Sequence, residues 1–187
     1  MKRLLVCIGA LILLGAIVAW VSQTGGLPEP WGTRIGQNLS RAGHFLFLFL
    51  SITYLVFGPL RDGESRLFRV LWTAGAVALN FAVVETLKHI VFWPRPVDVG
   101  HTAATASRGS GFPSGHTVPD FLIAVLVGHI NPRLQIPALI MASLVGYSRV
   151  EVTAHFASQV WLSALIGALL GLLWTALHAR FTSRATA

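Results

Sequence analysis

A chain of 187 residues that is 54% apolar and only 11% Asp, Glu, Lys or Arg carries less than half the charge of an ordinary soluble domain, which has about 25%. That deficit excludes a soluble globule, and the formal charge of +7, scattered between apolar blocks, excludes a nucleic-acid-binding stripe. The single cysteine, Cys7, lies inside the first block and excludes an intrachain disulfide or a cysteine-based metal site.

In chain order, the first block, Leu4 to Val21, runs 18 residues without a charge, and about 20 apolar residues at 1.5 Å each span a bilayer core. It follows Met1-Lys2-Arg3, exceeds a signal-peptide core and is not followed by a clean Ala-x-Ala site, so a retained helix is predicted. Val6, where a small residue is wanted, speaks against a lipid anchor on Cys7. Five further blocks read as His44 to Leu60, Phe68 to Leu87, Ser114 to Ile130, Leu134 to Ser148 and Phe156 to Leu177. The expected fold is therefore all-α: a single-domain integral membrane bundle of six transmembrane helices over residues 1–187. The fourth and fifth helices are short, and the fourth contains Asp120, so they are expected inside the bundle or extended through their polar ends.

Orientation follows from Lys and Arg, whose excess marks cytoplasmic loops. With the amino terminus inside, eight cations (Lys2, Arg3, Arg61, Arg66, Arg69, Arg133, Arg180, Arg184) collect on the cytoplasmic side. Six (Arg34, Arg41, Lys88, Arg95, Arg108, Arg149) fall on the other, and three of these belong to the motifs below, leaving Arg34, Arg41 and Arg108 as loop charges. The expectation is a multi-pass inner-membrane protein with both termini cytoplasmic. Trp20, Trp31, Trp93 and Trp161 fall near outer boundaries, and Trp72 and Trp174 near inner ones, where an interfacial belt places them.

Ionisable residues near membrane depth are costly and are functional candidates by default. Here they gather on the outer side. Lys88-His-Ile-Val-Phe-Trp-Pro-Arg95-Pro96 ends the third helix, Pro113-Ser114-Gly115-His116 opens the fourth, Ser148-Arg149 ends the fifth, and His155 enters the sixth. Lys88, Arg95 and Arg149 supply three cations, two of them planar forks matched to phosphoryl oxygens. Ser114 and Gly115 precede a helix and can offer a hydroxyl and open backbone N–H groups to an anion. Two imidazoles, His116 and His155, provide between them a nucleophile and an acid without a metal. Taken singly, each piece is an ordinary snorkelling cation, turn or interfacial histidine; their order on one membrane face points to phosphoryl transfer.

Lys-x6-Arg-Pro, Pro-Ser-Gly-His and Ser-Arg-x5-His resemble the three-part signature of the type 2 phosphatidic acid phosphatase superfamily, in its membrane lipid phosphatase branch; the superfamily also includes bacterial acid phosphatases and vanadium haloperoxidases. The motif region runs from Lys88 to Gln159, and the six-helix layout extends the likeness over nearly the whole chain. The resemblance implies a haloperoxidase-like helical core. It implies that His155 attacks phosphorus to form a phosphohistidine, that His116 protonates the leaving oxygen, and that Lys88, Arg95, Ser114, Gly115 and Arg149 hold the phosphoryl oxygens. Where the family has Asp four residues after the nucleophile, accepting its ring N–H, this chain has Gln159. Gln159 is then a neutral supporting acceptor, and Glu151 and Asp120 are the other carboxylates in reach, their ordinary roles being pairing with Arg149 and capping polar surface. Glu85, one turn before Lys88, pairs with that lysine in the simplest reading, and Asn80 lies on the same helix. His44, His89, His101, His129 and His178 match no motif.

The expected function is hydrolysis of a lipid phosphate monoester or diphosphate at the outer, periplasmic face, with the lipid chain between helices in the bilayer. No His/Asp/Glu cluster has ligand spacing, so neither metal nor cofactor is expected. Two alternatives stay open: a lipid phosphotransferase, and a non-catalytic binder of lipid phosphates in which Gln159 marks lost turnover. The expected partners are the phosphorylated lipid and the bilayer, and no nucleic acid.

Overall fold

The computed structural model describes residues 31–61, 63–100 and 109–184; the predicted helix Leu4 to Val21, Cys7, His101 and Arg108 lie outside them. Helix α1, Trp31–Asn38, runs through a π-helical turn, Leu39–Gly43, into α2, His44–Phe57. Then come α3, Arg66–Ile90, α4, Thr117–Ile130, α5, Gln135–Glu151, and α6, Ala157–Arg184, with short 3-10 turns at Pro96–Val99 and Pro132–Leu134. Among the described residues there is no strand. Three stretches, Arg34–Phe57, Arg66–Ile90 and Ala157–Ala179, are long and apolar enough to cross a membrane, each containing an 18-residue window, of mean hydropathy 1.5, 1.7 and 2.0 respectively. Their outward faces carry exposed Phe45, Phe49, Phe81 and Leu173, surface that only a lipid environment tolerates in such density.

Local chemistry sets the helix ends. Ser65, in extended conformation, caps α3 by accepting the Phe68 N–H at 3.2 Å. Asn131 accepts from the Arg133 N–H at 3.1 Å, and Pro132 then breaks the run between α4 and α5.

The short α4 is the hub. Nearly all of it is buried, Asp120 included, as expected of a helix apolar on every side. It packs chiefly against α6 and α5. Gly167 and Gly171 make the approach of α6 possible: a Cβ at the first would stand 2.3 Å from the Val118 carbonyl oxygen, and at the second 2.8 Å from Val125 Cβ. Any side chain on that seam would push α4, and the residues at its amino end, away from α6.

Two expectations need correction. Arg34 and Arg41 are not loop charges: both lie on the α1–π–α2 run. Its first part is too polar to register as a hydropathy block, yet it packs on α5, where a Cβ at Gly36 would lie 3.0 Å from Glu151 Cγ. Trp72 is buried rather than placed at a lipid interface, its carbonyl accepting the Trp174 indole N–H at 3.0 Å. The antiparallel connections bring the start of α2, the end of α3, the start of α4, the end of α5 and the start of α6 to one end of the bundle.

Candidate active site

That end gathers the three motif segments. His155, between α5 and α6, is buried and held by its Nδ1, which donates to the Gly111 carbonyl oxygen at 2.8 Å. This bond fixes the tautomer and leaves the Nε2 lone pair facing Arg95, whose Nη1 is 3.5 Å away. Burial first, then the charges of Arg95 and Arg149, push the His155 pKa down to about 3, against hydrogen bonds from the ring to the Gly111 carbonyl and to Gln159. At neutral pH the ring is an uncharged base aimed at a guanidinium.

Arg95 is itself nearly buried, and its fork is aligned by backbone carbonyls rather than by a carboxylate. Nε donates to Gly109, Nη2 to Ser110 and Nη1 to Ala154, each at 3.2 Å. Burial lowers its pKa while Asp98 opposes the shift; Asp98 accepts the Arg95 backbone N–H at 2.7 Å and so fixes the turn after Pro94. Arg149, at the end of α5, donates from Nη1 to the Ser40 hydroxyl on the π-helical turn, and its buried Nε has no partner among the described residues. Neither guanidinium forms an ion pair with a described carboxylate. Two buried forks without counterions make a socket for an anion.

His116 stands at the amino end of α4. Burial first, then the charges of Arg149, His44, His155 and Lys88, push its pKa down to about 3. Those neighbours locate it among the other motif residues. Lys88 is half-buried and pairs with Glu85 at 2.9 Å, as the one-turn spacing suggests. Its ammonium also reaches the exposed Gly115, where a Cβ would lie 3.6 Å from Nζ. Ser114 departs from expectation: its N–H donates to Ser163 Oγ at 2.8 Å, and its Oγ accepts from the Thr117 hydroxyl at 3.0 Å and the Thr117 N–H at 3.4 Å. It caps α4 and docks that helix on α6, and only its hydroxyl proton remains to offer an anion.

A family model of the PAP2 superfamily matches residues 69–183, which takes in all the motif residues but not Ser40 or His44. The chain belongs to the PAP2 superfamily. It is 33% identical over 153 residues to dolichyldiphosphatase 1 of Mus musculus, covering 71% of this chain and 63% of the relative. It is 25% identical over 131 residues to the undecaprenyl-diphosphatase BcrC of Bacillus subtilis, covering 68% and 65%. The chain thus spans less than two thirds of the length of either curated relative. The solved structure of a transmembrane PAP2-type phosphatidylglycerolphosphate phosphatase from Bacillus subtilis superposes with a TM-score of 0.66 at 20% identity, covering 96% of this chain and 93% of that one, a likeness of fold.

As a PAP2 member the chain departs from the superfamily pattern at Gln159, and the structure gives that side chain a different setting from the one expected. Its Oε1 accepts the Phe156 N–H at 3.0 Å and its Nε2 donates to the Pro94 carbonyl at 2.8 Å, lashing the loop before Arg95 to the start of α6. The acceptor 2.8 Å from His155 Nδ1 is the Gly111 backbone carbonyl, and Gln159 is a weaker hydrogen-bonding influence beside it. Neither alternative carboxylate stands in for it. Glu151 accepts from the Tyr147 hydroxyl at 2.7 Å, and Asp120 accepts from His44.

Sequence reasoning passed over His44. Its Nδ1 lies 3.0 and 3.1 Å from the two Asp120 oxygens, and its ring faces that of His116 with centroids 4.2 Å apart. The available signal was a pair of ionisable residues, His44 and Asp120, each in an otherwise apolar block.

Proposed function

We propose that this chain is a membrane lipid phosphatase working through a phosphohistidine, with a polyprenyl diphosphate as its first candidate substrate. The observation that carries the reading is the arrangement at His155: a neutral ring tied at Nδ1, with its Nε2 lone pair 3.5 Å from the fork of Arg95. Arg149, Lys88 and the first turn of α4 close the rest of the socket.

In the first step His155 Nε2 bonds to phosphorus, the bond from phosphorus to the leaving oxygen breaks, and the His116 proton passes to that oxygen. Arg95, Arg149 and Lys88 hold the equatorial oxygens as charge builds on them. In the second step His116 takes a proton from water, the hydroxide attacks phosphorus, and the N–P bond breaks to release phosphate and restore both histidines. His116 must carry a proton at the outset, although the empty site disfavours it; a bound phosphoryl dianion supplies the negative charge that reverses this. Three cations already neutralise the phosphoryl oxygens, so turnover is expected in excess chelator.

Substrate class is supported by the names of two relatives, a dolichyldiphosphatase and an undecaprenyl-diphosphatase. A cavity of about 180 Å³ beside Gly115, lined by Leu48, Ile52, Leu122 and Ile123 with His44 and Asn80 as its polar members, offers the lipid chain a largely apolar berth next to the phosphate-binding residues. The charge asymmetry of the sequence puts the site on the outer face, periplasmic in a Gram-negative cell, with the termini inside. Phosphate release in detergent from a panel of farnesyl diphosphate, farnesyl phosphate, phosphatidic acid and phosphatidylglycerol phosphate, with and without chelator, tests the reading. Turnover with an acid-labile phosphoryl label on His155 is expected; binding without release from any of the four would make the chain a lipid-phosphate binder.

A further inference from the structure

The two histidines of the site are held in different ways. His155 is fixed by a hydrogen bond to the backbone, whereas the His116 ring makes no hydrogen bond to a described residue. A proton donor free to rotate about its side-chain bonds would spend much of its time aimed away from the leaving oxygen. What stands against His116 is the face of His44, tilted by 36° at a centroid distance of 4.2 Å. His44 is itself clamped: it is only 6% exposed, and both oxygens of Asp120 accept from its Nδ1. Asp120 is wholly buried on α4, one turn after His116, so the anchor of the clamp shares a helix with the ring it restrains.

A carboxylate at this depth is expensive, and a helix meant only to pack would carry an apolar residue there. The backbone of the first transmembrane run is also adapted to the arrangement. The π-helical turn Leu39–Gly43 shifts the register just before His44, and Ser40 on that turn receives the Arg149 fork. One irregular turn thus delivers Ser40 to a phosphate-facing cation and His44 to the proton donor.

We infer that His44, clamped by Asp120, is a positioning residue that orients the His116 ring for proton transfer to the leaving group. This rests on the reading of His116 as the acid. The pair touches neither the phosphorus nor the nucleophile, so its contribution runs through His116 alone, and in the first step it is felt only where the leaving group needs a proton.

That gives a test separating the two claims. The rate of phosphohistidine formation from farnesyl phosphate, whose alkoxide leaves poorly unless protonated, is compared with that from p-nitrophenyl phosphate, whose nitrophenolate leaves without a proton; this step precedes the one in which His116 acts on water. His116→Ala is expected to slow the first by about 10²- to 10⁴-fold and the second far less. His44→Ala should show the same bias at smaller size, about 10- to 100-fold in the rate of phosphohistidine formation from farnesyl phosphate, within the range of general acid catalysis lost when a donor is misaligned. Because His44→Ala orphans a buried carboxylate, His44→Ala with Asp120→Ala is measured beside it, with thermal melting to verify folding. A bias in His116→Ala and none in either His44 variant overturns the positioning role and leaves the acid in place. Equal losses on both substrates in His116→Ala overturn the reading of His116 itself.

Discussion

At the end of the bundle away from the site, Arg69 is buried against a carboxylate. Its Nε donates to Glu64 at 2.5 Å and its Nη2 to the second oxygen, while His178 lies 3.2 Å from Glu64, His129 3.0 Å from His178, and Arg61 donates to His129 at 3.0 Å. The site end gathers the same residue types, two arginines and a pair of histidines, and gives the arginines no ion-paired carboxylate among the described residues. Arg95 is aligned by carbonyl dipoles, which orient a fork without cancelling its charge, and Arg149 keeps an unpartnered Nε. Buried cations are tolerable either when neutralised or when awaiting an anion. One end of this bundle is built to stay closed and the other to be completed by a ligand.

The sharpest contrast comes from removing one group at each end. His155→Ala is expected to lower turnover by about 10⁴-fold or more with little change in melting temperature, since it deletes the nucleophile from a site that is not neutralised anyway. Near wild-type turnover in that variant would withdraw the nucleophile assignment. Glu64→Gln should do the reverse, costing about 3–5 kcal/mol of stability by leaving Arg69 buried without its counterion. The surviving folded protein should turn over normally. A thermal melt in detergent, read beside initial rates, checks both variants in one experiment.

Acid should separate the ends next. His155 and His116 titrate near 3 in the folded site against an ordinary 6.5, so an opened chain takes up protons that the folded one refuses. Stability is then complete above about pH 6.5 and falls as pH drops toward 3. Burial raises the Glu64 pKa, but hydrogen bonds from Arg69, the Arg61 backbone and His178 outweigh it and hold the group at about 2 against 4.5; its contribution is intact above pH 4.5 and lost below, toward 2. Vanadate, which brings negative charge to the histidines, is expected to remove the first loss and leave the second. Acid melts with and without vanadate that shift in parallel at all pH values would erase the distinction.

Much of this was legible in the sequence, for identifiable reasons. Lys88, Arg95, Ser114, Gly115, His116, Arg149 and His155 sit on four consecutive helix ends, so once hydropathy gives the crossings, parity alone brings them to one face. The pairing of Lys88 with Glu85 is a one-turn relation and follows from spacing. What escaped depends on contacts across long separations or on backbone. His44 meets Asp120 across 76 positions, through a π-helical turn that no periodicity announces. Gly111 acts through its carbonyl and has no side chain to draw attention. Arg34 and Arg41 lie on the polar first part of a helical run whose apolar remainder alone registers in hydropathy.

The smallest effect expected is at Gln159, and it sharpens the account of how His155 is held. A carboxylate there, by the superfamily pattern, would stabilise the positive ring, and Gln159→Asp would raise turnover. In this chain His155 Nδ1 already donates to Gly111, and the Gln159 amide joins Pro94 to Phe156. Asp is shorter and has no N–H to give the Pro94 carbonyl, so the change loosens the loop that presents Arg95. A lost hydrogen bond of this kind is worth about 0.5–1.5 kcal/mol, or roughly two- to tenfold in an equilibrium. Gln159→Asp is therefore expected to raise KM by about that factor with a smaller change in kcat, because Arg95 moves while the Gly111 carbonyl still holds the nucleophile. Glu151→Gln, whose partner is Tyr147, should alter neither. A gain in kcat for Gln159→Asp would mean that position 159, rather than the Gly111 carbonyl, governs the His155 ring, and the contrast between a backbone-held nucleophile and a ring-held acid would fall with it.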